Sequence, residues 1–177
     1  MTDRPNLAEA NMIESKYLKD TVQNIQQLFT IPALKHFETK NLGKMLNLSK
    51  IRKYEDGEQI ITEGDRDPWL YFLLAGEVRV TKDGEDISTL NRVGDIFGEM
   101  RLLDTLSRSA SVFAVGKTTC LAVNTEAQDR IPSEDENTNF LILLYRVLAE
   151  YVSIRLRLSN EELVKTKKQL KALMEKQ

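Results

Sequence analysis

The chain of 177 residues has one cysteine, Cys120, and one histidine, His36. A lone thiol forms no internal disulfide and cannot assemble a cysteine-ligated cluster or a structural zinc site. A lone imidazole leaves few options for metal or haem ligation. Charge of one sign is also lacking. Lys and Arg number 25 against 27 Asp and Glu, a net charge of −2, so no basic field points to nucleic acid as the main partner. No apolar run approaches the length of a membrane span, and the best candidate, residues 140–144, stops at Tyr145-Arg146. The N-terminus lacks the basic start and apolar core of a secretion signal, so the expected address is the cytoplasm. Asp65, Asp95 and Asp104 lack the spacing of a metal loop, and no nucleophile–base pair or paired carboxylates can be assembled, so nothing supports an enzyme.

What is present divides into three stretches. In residues 1–50, Met12, Ile13, Tyr17, Leu18, Val22, Ile25, Leu28 and Phe29 recur at steps of three and four, which reads as an amphipathic helix. Pro32 interrupts it, a second helical stretch follows through Ala33, Leu34 and Phe37, and a third spans residues 42–46. In residues 51–132 the pattern changes to short runs of β-formers between turn residues, as in an all-β sandwich or barrel. The runs are 51–54, 59–62, 69–75, 77–81, 85–90, 109–114 and 118–124, with turns at Asp56-Gly57, Glu63-Gly64-Asp65, Asp83-Gly84 and Val115-Gly116-Lys117. Asp83-Gly84 is a tight-hairpin signal. Val78 and Val80 alternate with Arg79 and Thr81; Val80 either lines a pocket or simply packs in the core.

Residues 133–177 begin with Ser133-Glu134-Asp135-Glu136, a helix start, and contain no glycine or proline from Phe140 onward. Leu156, Leu163 and Leu170 recur at heptad spacing, with Val152, Ser159, Thr166 and Leu173 on the complementary seam. This is a short parallel coiled-coil pattern. The lysines of the tail alternate with Glu161, Glu162 and Glu175, as on a solvated helix surface.

The most informative stretch runs from Gly94 through Gly98-Glu99-Met100-Arg101 to Arg108-Ser109-Ala110. Gly98 lets backbone approach a ligand closely. The turn of helix read over residues 99–103 offers free N–H groups to an anion at its start. Arg108 supplies a planar cationic fork that matches phosphate oxygens, and Glu99 is an acceptor suited to a ribose hydroxyl.

Phe97-Gly98-Glu99, eight residues, then Arg108-Ser109-Ala110 resembles the phosphate-binding cassette of cyclic nucleotide-binding domains, as in the bacterial catabolite activator and protein kinase A regulatory subunits. The resemblance spans residues 34–163, with Gly57, Gly64-Asp65, Gly76 and Gly94-Asp95 at the family's turn positions. It implies an α+β fold: an antiparallel β-roll (a double-stranded jelly roll) with flanking N-terminal helices and a long C-terminal dimerisation helix. It also implies a site built from Gly98, Glu99, Met100, Arg101, Arg108, Ser109 and Ala110. Ser159 and Asn160 fall where the activator's dimer helix touches the base, although a polar coiled-coil position explains Ser159 equally well. Ser109 favours cAMP over cGMP. Arg101 departs from the family's small residue; it adds a phosphate contact, points to solvent or obstructs the base.

The implied partners are a cyclic nucleotide, a second copy through the C-terminal helix, and an effector protein. The activator's helix-turn-helix domain has no room before Gln177, so the expectation is a module that stands alone or a fragment of something larger, and the run from Met1 suggests a native start. The expected function is a cyclic-nucleotide sensor whose ligand shifts the dimer helix. The rival is a dimeric adaptor that binds no ligand. An Arg108 already paired to a protein carboxylate would favour that rival.

Overall fold

The computed structural model describes residues 12–19, 21–31, 34, 38–100, 107–126 and 134–175. Its elements in order are β1 (Ile13–Glu14), α1 (Val22–Leu28), α2 (Thr39–Asn47), β2 (Ser49–Tyr54), β3 (Gln59–Ile61), β4 (Trp69–Lys82), β5 (Glu85–Leu90), β6 (Ile96–Phe97), β7 (Ser111–Asn124) and α3 (Glu134–Met174). The fold is α+β: an antiparallel β-roll with helices before it and one long helix after it. Strands run β1-β2-β7-β4-β5 across one sheet, with β3 on β7 and β6 on β4.

Alternation along the two long strands explains why both of their faces are buried. Leu70 and Phe72 of β4, with Leu121 and Val123 of β7, join a cluster with α2 and with Leu144, Val147 and Leu148 of α3. The intervening Tyr71, Leu73, Cys120 and Ala122 fill the interior of the roll with Tyr54, Val78, Val80 and Phe97. Period-two side-chain direction thus feeds one core on each side of the same strands.

Two strand readings need correction. Residues 69–75 and 77–81 are one strand through Gly76, and residues 111–124 are one strand through Gly116 rather than two separated by a turn. Register shifts at Ala75 and Glu77 mark the corner. There Gly76 has φ of 90°, and a Cβ would stand 2.5 Å from the Lys117 carbonyl oxygen and 2.8 Å from the Thr118 Cα. Glycine permits a sharp bend while the ladder continues, so it does not end the strand. The Asp83-Gly84 hairpin is present, with φ of 51° and 86°.

The helix read over residues 12–29 is also corrected. Only Val22–Leu28 is helical, and Ile13–Glu14 pairs with Arg52 and Lys53 on the edge of β2. Electrostatics selects this alternative. The Glu14 carboxylate accepts from Arg52 Nε at 2.6 Å and also pairs with Lys50. Burial opposes ionisation of Glu14, but the two cations outweigh it and hold its pKa below the usual value. The Arg52 guanidinium lies over the Trp69 ring at 4.0 Å and donates to the Tyr71 hydroxyl at 2.7 Å. In the second helical stretch only Leu34 is described, fully buried beside Ile31. Pro32, Ala33 and Phe37 lie outside the described residues.

The long helix is anchored over its first half. Leu144, Val147 and Leu148 pack in the core, and Tyr151 hydrogen-bonds to the backbone of Ile96. This fixes Val152, Arg155, Leu156 and Ser159, one helical face, above the mouth of the roll. Farther along, Leu163, Leu170 and Leu173 are exposed.

Candidate functional site

Gly98 directly follows β6, Arg108 stands three residues before β7, and helix α3 passes above both. Between them lies a cavity of about 320 Å³, within the size range of small-molecule sites. Gly98, Glu99, Met100, Arg108, Ser109 and Ala110 line it from the roll, and Ser159 lines it from α3. Val80 belongs to its apolar wall with Ile61 and Val112. Asn160 is exposed and not part of the lining. Arg101, and the helical turn read after Met100, fall outside the described residues.

Arg108 is 3% exposed. Its Nε and Nη2 donate to the two oxygens of Asp67 at 2.9 and 2.6 Å. Nη2 also donates to the Trp69 carbonyl at 2.5 Å, and Nη1 to the Gly98 carbonyl at 2.7 Å. Four of five N–H donors are thereby used. The last, on Nη1, has no protein acceptor among the described residues. The bidentate pair fixes the guanidinium plane at the cavity wall. Gly98 has φ of 77°, and a Cβ there would stand 2.6 Å from Arg108 Nη1. Only glycine allows the arginine to reach the carbonyl of the same residue.

Glu99 is 6% exposed. Its ion-pair partner is Arg155 Nη1 of α3, at 3.6 Å. Burial pushes the Glu99 carboxyl above its usual value, against the pull of its own backbone N–H and of Arg155 and Arg108. A buried carboxylate with so few close donors is costly in an apolar setting. It lines a cavity to which Arg108 and Arg155 also contribute.

Asp67 and Arg155 were not singled out from sequence. Asp67 belongs to a loop with no motif of its own, and only the fold brings it to Arg108. Arg155 precedes Ser159 and Asn160 on the same helix, but it reads as one more helix-surface charge. Its signal was the four-residue step to Ser159, which puts both on one face. Cys120 is inert: burial pushes its thiol up to about 12, and it is enclosed within the roll. Among the described residues no cluster could hold a metal ion, and no helix is long and apolar enough to cross a membrane.

The raised Glu99 pKa gives a stability prediction. The native state holds this proton more tightly than the unfolded chain, so stability falls as pH rises from the usual glutamate range through the raised value. Above that window the full cost of the buried charge remains. Glu99→Gln removes it, so at pH 7 the ligand-free variant should melt higher by about 2–4 °C, on the order of 1 kcal/mol. The gain should vanish near pH 4, where both forms are neutral. Thermal melts at the two pH values check this; a variant less stable than the parent at pH 7 contradicts it.

Residues 51–135 match the family model described as the cyclic nucleotide-binding domain. The type II regulatory subunit of cAMP-dependent protein kinase of Drosophila melanogaster is 40% identical over 96 residues, which cover 52% of this chain and 24% of that protein. The cGMP-dependent protein kinase of Toxoplasma gondii is 27% identical over 132 residues, which cover 75% of this chain and 13% of that protein. The chain thus spans less than a quarter of the length of either relative. A crystal structure of a cyclic nucleotide-binding domain from Methylobacillus flagellatus superposes with a TM-score of 0.70 at 22% identity, covering 88% of this chain and 89% of that one. That likeness is one of fold.

Proposed function

Because residues 51–135 of this chain belong to the cyclic nucleotide-binding domain family, we propose that it is a regulatory sensor that binds a cyclic nucleotide, cAMP in preference to cGMP, and acts by binding rather than catalysis. The observation that carries this reading is Glu99. It is a buried carboxylate with few close donors, lining a cavity of about 320 Å³ together with Arg108. The Arg108 guanidinium and the Ala110 N–H would meet the phosphodiester, and Glu99 the ribose hydroxyl. Gly98, Met100, Ser109 and Ala110 would complete the wall, and Ser159 would approach the base. Asn160 keeps the base contact read for it from sequence, and Arg101 keeps its three alternatives of a phosphate contact, a solvent position or obstruction of the base.

The same α3 face serves two purposes in this proposal. Val152, Leu156 and Ser159 line the cavity and also belong to the heptad seam. A ribose hydroxyl that takes Glu99 from Arg155 would change the balance of helix positions, so ligand energy becomes a population shift. Exposed Leu163, Leu170 and Leu173 continue the seam toward a second copy. A homodimer organised as residues 1–50, 51–132 and 133–177, located in the cytoplasm, would pass the shift to an effector protein.

A second reading has its own observation. Arg108 is already paired to the Asp67 carboxylate, as expected of a dimeric adaptor that binds no nucleotide. The adaptor reading gives no role to the remaining Nη1 donor or to the buried Glu99 charge. Calorimetric titration with cAMP and cGMP, with sedimentation of the free and loaded protein, separates the two. The sensor takes up ligand with measurable heat as a dimer, cAMP more tightly. Neither heat nor a thermal shift at millimolar nucleotide would leave the adaptor.

A further inference from the structure

Arg108, Ser109 and Ala110 are pinned from outside the cavity. The Arg108 N–H donates to the Asp65 carbonyl at 2.8 Å, and the Gly64 N–H donates to the Arg108 carbonyl at 2.9 Å. One residue later the support changes character. Lys82, the last residue of β4, donates from Nζ to the Ser109 carbonyl at 2.9 Å. Glu63 holds that lysine at 3.3 Å, and its second oxygen accepts the Asp83 N–H at 3.2 Å. The Glu63 N–H in turn donates to the Ser111 hydroxyl at 3.0 Å. Neither Lys82 nor Glu63 lines the cavity.

This arrangement fixes the direction of one peptide group. A trans peptide is planar, with its C=O and N–H antiparallel, and no cis bond occurs among the described residues. With the Ser109 carbonyl turned out to Lys82, the Ala110 N–H is turned the other way, to the side where Ser109 and Ala110 line the cavity. Among the described residues no protein acceptor meets that N–H. An ammonium on the carbonyl also polarises the peptide and strengthens its N–H as a donor.

We propose that Lys82, held by Glu63, is a positioning residue for the anionic part of the ligand, acting through the Ser109–Ala110 peptide and never touching the ligand. The proposal rests on the cyclic-nucleotide reading above. It extends the phosphate site to the end of the β4–β5 hairpin, whose Val80 and Ile87 otherwise supply only apolar lining. The Lys82–Glu63 pair is itself half exposed and adds little to stability. Its variants therefore fold.

The test compares an anionic and a neutral ligand in parent, Lys82→Met and Lys82→Arg, by NMR-detected titrations that reach millimolar dissociation constants. For Lys82→Met the expected result is about a three- to tenfold loss of cAMP affinity, with adenosine affinity within about twofold of the parent. Lys82→Arg restores most of the cAMP affinity. In the ligand-free protein Lys82→Met should also shift the Ser109 carbonyl carbon and the Ala110 amide, and Lys82→Arg should move them back. Equal loss for cAMP and adenosine, parental cAMP affinity in Lys82→Met, or unchanged Ser109 and Ala110 resonances would each overturn the positioning role alone. A parent that takes up neither cAMP nor cGMP overturns the sensor function and this proposal together.

Discussion

Replacing Arg108 by alanine is expected to abolish nucleotide binding and to lower the unfolding free energy by about 3 kcal/mol or more. The size of the effect follows from what the guanidinium holds. It is almost fully buried and satisfies the Asp67 carboxylate and the carbonyls of Trp69 and Gly98. Its removal leaves those acceptors facing a void, and breaking a buried pair costs more than the intact pair contributes. Asp67 is one-third exposed and can rehydrate, which keeps the loss toward the lower end. Arg108→Lys separates folding from function. It keeps a charge but loses the planar fork, so it should retain more stability while still binding at least about tenfold more weakly. Denaturant unfolding and titration of both variants check this. An alanine variant with parental stability and affinity would refute the role assigned to Arg108.

The second large effect is expected at Gly98. An alanine there would need a φ of 77°, and its Cβ would meet Arg108 Nη1 at 2.6 Å, Ile61 Cδ1 at 3.1 Å and the Trp69 carbonyl oxygen at 3.2 Å. The far end of a flexible arginine would ordinarily swing aside. This one is held by Asp67 and Trp69 as well as by Gly98, so relief comes only by giving up the pairing that aims it. Gly98→Ala should cost about 2–4 kcal/mol and reduce affinity by about a hundredfold. Gly57→Ala is the matched control. Its φ is also 77°, but nothing lies within 4 Å of the added carbon, so only the conformational cost of about 1 kcal/mol remains, with affinity unchanged. Equal losses of affinity in the two variants would show that Gly98 matters for its backbone angle and not for its approach to Arg108.

How much of this was legible beforehand depended on whether the signal was local. Gly98, Glu99, Arg108, Ser109 and Ala110 lie within thirteen consecutive residues, and the structure gathers them around one cavity. Strand positions were legible from their β-formers. Strand continuity was not, because Gly76 and Gly116 read as breaks where the roll uses them to bend. The periodicity of residues 12–29 fitted a helix, yet Glu14 finds Arg52 and Lys50 only once β2 exists. Asp67 was invisible for the same reason: its partner stands 41 positions away. Lys82 carries no signal in the sequence, and only the fold places it against Ser109. Nonlocal pairings of this kind are set by topology, which residue spacing does not encode.

The measurement that bears most directly on the site is a crystal structure of the chain grown with cAMP. The account predicts the phosphodiester within hydrogen-bond reach of Arg108 Nη1 and the Ala110 N–H, and a ribose hydroxyl donating to Glu99 in place of Arg155. A cavity without nucleotide at millimolar cAMP, Arg108 still held only by Asp67, Trp69 and Gly98 and Arg155 still on Glu99, would contradict it.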